Sequence, residues 1–178
     1  TQSRSSAASD VYKRQMLFWL LGATDGHAKN FSLFLRPGES FEMTPLYDVL
    51  SVYPLLGEGP GKLPPHRARL AMAVRGKNAH WHLNKILRRH WQDVGTRYGI
   101  VSPSGLTVDA LIAKVVEHTP TVVHSVQQKL PQGFPQQVAQ SIFDGLTQAA
   151  ERLGRGYGCC LLYTSPSPRD ATLTRMPS

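Results

Sequence analysis

Cysteine is nearly absent from this chain: there are two in 178 residues, adjacent at 159 and 160. Neighbouring cysteines are too strained for a structural disulfide, which excludes a covalently stapled secreted scaffold and makes a reducing cytoplasm the expected location. Long apolar runs are missing as well. The longest near the start, residues 16–23, falls far short of the roughly 20 residues that span a bilayer, and it leads straight into Thr24-Asp25-Gly26-His27 without a small-residue cleavage site. We expect neither membrane insertion nor export.

Acidic residues are scarce, 12 against 20 Lys and Arg, for a formal charge of +8. The shortage is sharpest across residues 62–89, where Lys62, Arg67, Arg69, Arg75, Lys77, Lys85, Arg88 and Arg89 face no Asp or Glu. Such a stretch suits the phosphates of a nucleotide, DNA or RNA, and equally suits a solvated face. A glycine-rich phosphate cradle is also lacking. Gly57-Glu58-Gly59-Pro60-Gly61 has the glycines but no strand-loop-helix context, so it reads as a plain loop.

What remains is ordinary globular material, 41% hydrophobic and 18% charged, enough for one domain with a real core. Its two ends look different. Residues 1–15 are Ser/Ala-rich with a basic end, and residues 158–178 lack helical or strand periodicity. Both resemble read-through at the ends of conceptual translations, so we expect non-native or disordered flanks that add little to a core, with the folded domain at residues 16–157.

Within that domain, residues 16–22 read as an apolar helical end and residues 24–30 as a polar loop. Residues 31–35 and 41–44 are short β-prone runs around a turn carrying Pro37-Gly38, which predicts a β-hairpin. Leu46, Val49 and Leu50 continue apolar toward a Gly/Pro-rich loop at 57–65, with a helix beginning near Val49 that Asp48 could cap. Ile86, Leu87, His90, Trp91 and Val94 have helical spacing, stopped by Gly95 to Gly99. Two further helices are predicted, at about 107–129, where Pro120 predicts a break or kink, and from Pro135 through Leu153. The alternating His80-Trp81-His82 has no further Cys or His at ligand spacing and reads as a packed surface segment, not a metal site.

The polar loop carries the chemistry. Asp25 supplies a carboxylate able to orient and deprotonate a hydroxyl, and Asn30, five residues on, supplies a carbonyl oxygen. Asp48 supplies a second carboxylate past the predicted hairpin, which would fold the two oxygen donors together as magnesium requires. This is the order of catalytic Asp, metal-binding Asn and metal-binding Asp in protein kinases. Lys29 could neutralise charge building on a transferred phosphoryl group, and His27 could order the loop through its ring. Each of these has a plainer alternative as a turn former, cap or surface residue.

Taken whole, Gly22-Ala23-Thr24-Asp25-Gly26-His27-Ala28-Lys29-Asn30-Phe31-Ser32, then Thr44-Pro45-Leu46-Tyr47-Asp48-Val49-Leu50, then Leu70-Ala71-Met72-Ala73 with Gly76-Lys77, resembles the HipA family of bacterial serine/threonine kinases. The resemblance covers about residues 16–157. It implies an α+β fold, mainly α: the C-terminal helical lobe of a protein-kinase-like fold with a small β-hairpin at the metal site. It further implies a toxin of a toxin-antitoxin pair that moves the γ-phosphate of ATP to a protein hydroxyl, with Asp25 and Lys29 catalytic, His27, Asn30 and Asp48 cofactor-binding, and Asn30 and Asp48 on magnesium. Implied partners are a protein substrate, an aminoacyl-tRNA synthetase in the best-known members, a helix-turn-helix antitoxin, and DNA through the antitoxin complex. The family's phosphate-binding loop, ATP-binding lysine and adenine hinge have no counterpart before Met16, so the isolated chain is expected to bind ATP poorly and to lack kinase activity. A non-catalytic antitoxin- or DNA-binding module using residues 62–89 is the main alternative, and a small-molecule phosphotransferase a third.

Overall fold

The computed structural model describes residues 4–38, 40–100 and 105–155, with residues 4–7 as helical backbone only. The expected flank at 158–178, with Cys159 and Cys160, lies outside them.

The first element corrects an expectation. Helix α1 runs Arg4–Leu20, so the boundary set at residue 16 falls in mid-helix. The reason is a stripe at helical spacing: Ala8 packs on the core, and Tyr12, Met16 and Trp19 are all buried in it. Tyr12 meets the Trp91 ring edge-on at 5.7 Å and donates its hydroxyl to Trp91 O at 3.1 Å. Ala8 and Tyr12 thus contribute to the core that residues 1–15 were expected to leave alone.

Gly22 ends α1. Its φ of 63° is the left-handed conformation that glycine adopts without a Cβ penalty. Gly22 N–H bonds Trp19 O and Ala23 N–H bonds Phe18 O, the paired closure that satisfies the last carbonyls of a helix.

Two antiparallel hairpins follow. Strand β1, Leu33–Arg36, pairs with β2, Ser40–Met43, in the register Leu33↔Met43 to Arg36↔Ser40, as the Pro-Gly turn predicts. Strand β3, Arg69–Arg75, pairs with β4, Ala79–His82, with an irregularity between Arg69 and Val74. This second hairpin was not foreseen. No helix starts at Val49; the chain is irregular from Thr44 to a single 3-10 turn at Tyr53–Leu55, so Asp48 caps nothing.

Helix α2, Arg88–Tyr98, is closed by Gly99 at φ 57°. Helix α3, Val108–Gln128, is capped by Thr107, whose side chain accepts from Ala110 N–H, and runs unbroken through Pro120, contrary to the expected break. Helix α4, Gln136–Gly154, packs along α3. The core lies where α1, α2, α3, α4 and β3 converge, around Trp19, Trp91, Ile86, Ile112, Leu153 and Val74. The architecture is therefore mixed, mostly helical, with two small hairpins. No helix among the described residues is long and apolar enough to cross a membrane.

Candidate functional site

The loop after α1 is held from three sides. Val52 N–H bonds Gly22 O at 2.9 Å, and Ala71 N–H, from the outer edge of β3, bonds Thr24 O at 2.8 Å. Beneath it lies Phe18, buried on the face of α1 away from Trp91 and edge-on to Phe31 at 5.6 Å. A Cβ on Gly26 would come within 2.6 Å of the Phe18 ring, so close approach is what the glycine serves here.

Ala28–Asn30 forms one 3-10 turn, organised by the Asn30 side chain. Asn30 is buried, and its Oδ1 accepts His27 N–H at 2.9 Å while its own N–H returns to His27 O at 3.0 Å. His27 Nδ1 is buried without a hydrogen-bond partner among the described residues, and the hydrogen bonds that close the turn come from backbone and from Asn30.

The hairpin then returns the chain. Thr44 N–H bonds Ser32 O at 3.0 Å, and Asn30 Nδ2 donates to Asp48 Oδ2 at 3.3 Å, so residues eighteen apart in sequence meet. Asp48 is exposed and sits at φ 56°, the only non-glycine residue with positive φ among those described. That region costs an ordinary side chain about 1 kcal/mol or more and is most tolerable for Asp or Asn, so the backbone is bent to present this carboxylate. Asp25 and Lys29 are exposed on the same loop.

These donors fit a hard cation in kind. The exposed Asp48 carboxylate and the Asn30 amide are in contact, and Asn30 Oδ1 keeps a lone pair beyond the one given to His27 N–H. No cluster of three or more His, Cys, Asp or Glu suited to a metal occurs among the described residues; a cation here would rest on mixed amide and carboxylate oxygens. Sequence reading missed Tyr47, whose hydroxyl binds Lys29 O at 2.6 Å, and Phe18, the floor of the loop.

The basic stretch is spread over several elements. Arg69, Arg75, Lys77, Lys85 and Arg89 are exposed, Arg69 lying over the Trp81 ring at 5.9 Å, whereas Arg88 is engaged by Asp109 at 2.8 Å. His80 stacks on His90 with ring centroids 3.6 Å apart, and His82 Nδ1 contacts His66 O, so the alternating histidines pack as expected.

The fold is similar to a solved structure of the Shewanella oneidensis MR-1 toxin-antitoxin system HipA, HipB and its operator DNA complex, at TM-score 0.59 and 22% identity, covering 82% of this chain and 31% of that one. The chain thus spans about a third of the length of that relative. The family of the HipA-like C-terminal domain matches residues 1–123, from α1 into α3. With more than half of its 178 residues matched, this chain belongs to the HipA-like C-terminal domain family.

Proposed function

We propose that this chain is the catalytic-loop-bearing part of a HipA-like serine/threonine-protein kinase, the toxin of a toxin-antitoxin pair. The observation that carries the reading is the contact of Asn30 with Asp48, made across a hairpin that also leaves Asp25 exposed on the same loop. When bound, ATP supplies the phosphoryl group, and magnesium supplies positive charge to its oxygens. Asn30 and Asp48 would hold the magnesium. Asp25 accepts the proton of the acceptor hydroxyl, Lys29 offsets charge on the phosphoryl oxygens, and His27 is assigned to nucleotide binding. A protein hydroxyl is the acceptor, an aminoacyl-tRNA synthetase being the candidate substrate.

The solved relative was captured with HipB and operator DNA, which supports a helix-turn-helix antitoxin, and DNA through it, as partners here. A cytoplasmic location suits both. Because this chain spans a third of that relative, the nucleotide-binding remainder is assigned to the rest of the longer protein, and this chain alone is expected to be inactive. The exposed cations around Arg69 and Trp81 favour one second reading, an antitoxin- or DNA-binding module that keeps the lobe without its chemistry.

The test is phosphate transfer from labelled ATP by the full-length protein. Asp25→Asn and Asp48→Asn, the second keeping a residue type that tolerates the positive φ there, are each expected to lower turnover by at least about a hundredfold, with the melting temperature kept. Unchanged turnover in both would leave only the binding-module reading.

A further inference from the structure

Tyr47 stands one residue before Asp48, and its hydroxyl donates to Lys29 O at 2.6 Å. A phenol has one hydrogen to give, so the 2.7 Å contact with Ser32 Oγ runs the other way, with Ser32 donating to Tyr47. Consecutive residues leaving β2 therefore clasp consecutive residues of the loop. Tyr47 takes Lys29 by its carbonyl, and Asp48 takes Asn30 by its amide. The Tyr47 ring is 43% exposed, so burial is not what holds it there.

The two clasps differ in what a cation would do to them. The Asn30–Asp48 bond is built from the groups assigned to the ion, and an amide N–H aimed at the carboxylate must give way when both residues present oxygens to one cation. The Tyr47 clasp uses a backbone carbonyl and two hydroxyls, none of them assigned to a ligand. It can persist through loading.

We propose that Tyr47, with Ser32, is a positioning residue for the cation site: it fixes the loop against the exit of β2 so that Asn30 and Asp48 stay within reach of one ion after their own hydrogen bond opens. This rests on the reading of Asn30 and Asp48 as metal ligands. The bond of Thr44 N–H to Ser32 O and the β1–β2 ladder close the same seam through backbone alone, so removing one hydroxyl leaves the hairpin formed.

The experiment uses the full-length protein and Mn2+ as probe, with free Mn2+ read by electron paramagnetic resonance during titration and the melting temperature recorded alongside. Asp48→Asn is expected to abolish binding. Tyr47→Phe is expected to weaken it roughly tenfold, as removal of an outer-shell partner does, with the melting temperature within about 2 °C of wild type. Ser32→Ala shifts binding the same way by less. Wild-type affinity in Tyr47→Phe, with binding lost in Asp48→Asn, overturns the positioning role and leaves the metal site standing. Wild-type affinity in Asp48→Asn removes the metal site and this role with it. Should Tyr47→Phe lose its melting transition, Ser32→Ala decides alone: weaker Mn2+ binding supports the role and unchanged binding overturns it.

Discussion

The two hairpins are built from the same secondary structure and are held in place by different forces. In β1–β2, every residue of β1 is exposed, Leu35 at 84%, and the attachments to the loop are polar: Thr44 to Ser32, Tyr47 to Lys29, Asp48 to Asn30. In β3–β4, Leu70 and Val74 are buried in the core, and Gly76 lies so close to α2 that a Cβ would fall 2.4 Å from Asp93 Cβ. Net hydrogen bonds contribute about 0.5–1.5 kcal/mol each, whereas a buried large side chain contributes several times that. The hairpin beside the candidate site is thus held mainly by polar contacts. Its twin is built into the core. The sharpest way to break this comparison is Trp91→Ala, which removes the ring packed on Tyr12 and Trp19. It is expected to cost about 3–5 kcal/mol in denaturant unfolding, against a change within about 0.5 kcal/mol for Leu35→Ser on β1. Equal costs would remove the distinction.

A smaller effect is expected where the site touches the core. Gly26→Ala drives a Cβ to 2.6 Å from a Phe18 ring that is buried and braced by Phe31. Something must move, and overpacking of this kind costs about 1–3 kcal/mol. Phe18→Leu in the same chain makes room, so the double variant is expected to lose less than the sum of the single changes, as contacting residues do. Strict additivity would show that the ring and the loop are not in contact.

The meeting of Asn30 with Asp48 was legible because its pattern is local. Asp25, Asn30 and Asp48 bracket two β-prone runs around Pro37-Gly38, and the hairpin that these predict brings Asn30 to Asp48. The helices α2 to α4 were legible from the 3.6-residue spacing of their apolar faces. Residues 4–15 were not, because the stripe of Ala8, Tyr12 and Met16 is carried by one residue per turn among polar neighbours. The strand β3 was hidden because its outward positions include Ala71 and Ala73, which blunt the polar alternation that marks a half-buried strand. The break expected at Pro120 did not occur. Proline weakens a helix locally, yet packing along α4 and into the core carries α3 through it. Tyr47 had no signal beyond its place beside Asp48, since a hydroxyl meeting a carbonyl eighteen residues away leaves no periodicity.

At neutral pH the smallest effect comes from the seam between the second hairpin and α2, where His80 of β4 stacks on His90. Burial, then the neighbouring His80 and Arg89, push the His90 pKa down to about 4 against the opposing pull of Asp93. His90 Nδ1 accepts Leu87 N–H at 3.1 Å, which requires that nitrogen to be unprotonated. The folded chain therefore keeps His90 neutral where the unfolded chain, at its ordinary value of 6.5, takes up a proton. Above pH 6.5 neither state binds it and this group makes no pH dependence. As the pH falls from 6.5 toward 4, stability is progressively lost, and below about 4 this group's share of the slope vanishes. His90→Asn keeps an acceptor near Leu87 N–H and cannot titrate. The expected outcome is a melting temperature that falls less between pH 7 and 4.5 in the variant than in wild type. Parallel curves for the two proteins would move the acid sensitivity away from the His80–His90 stack.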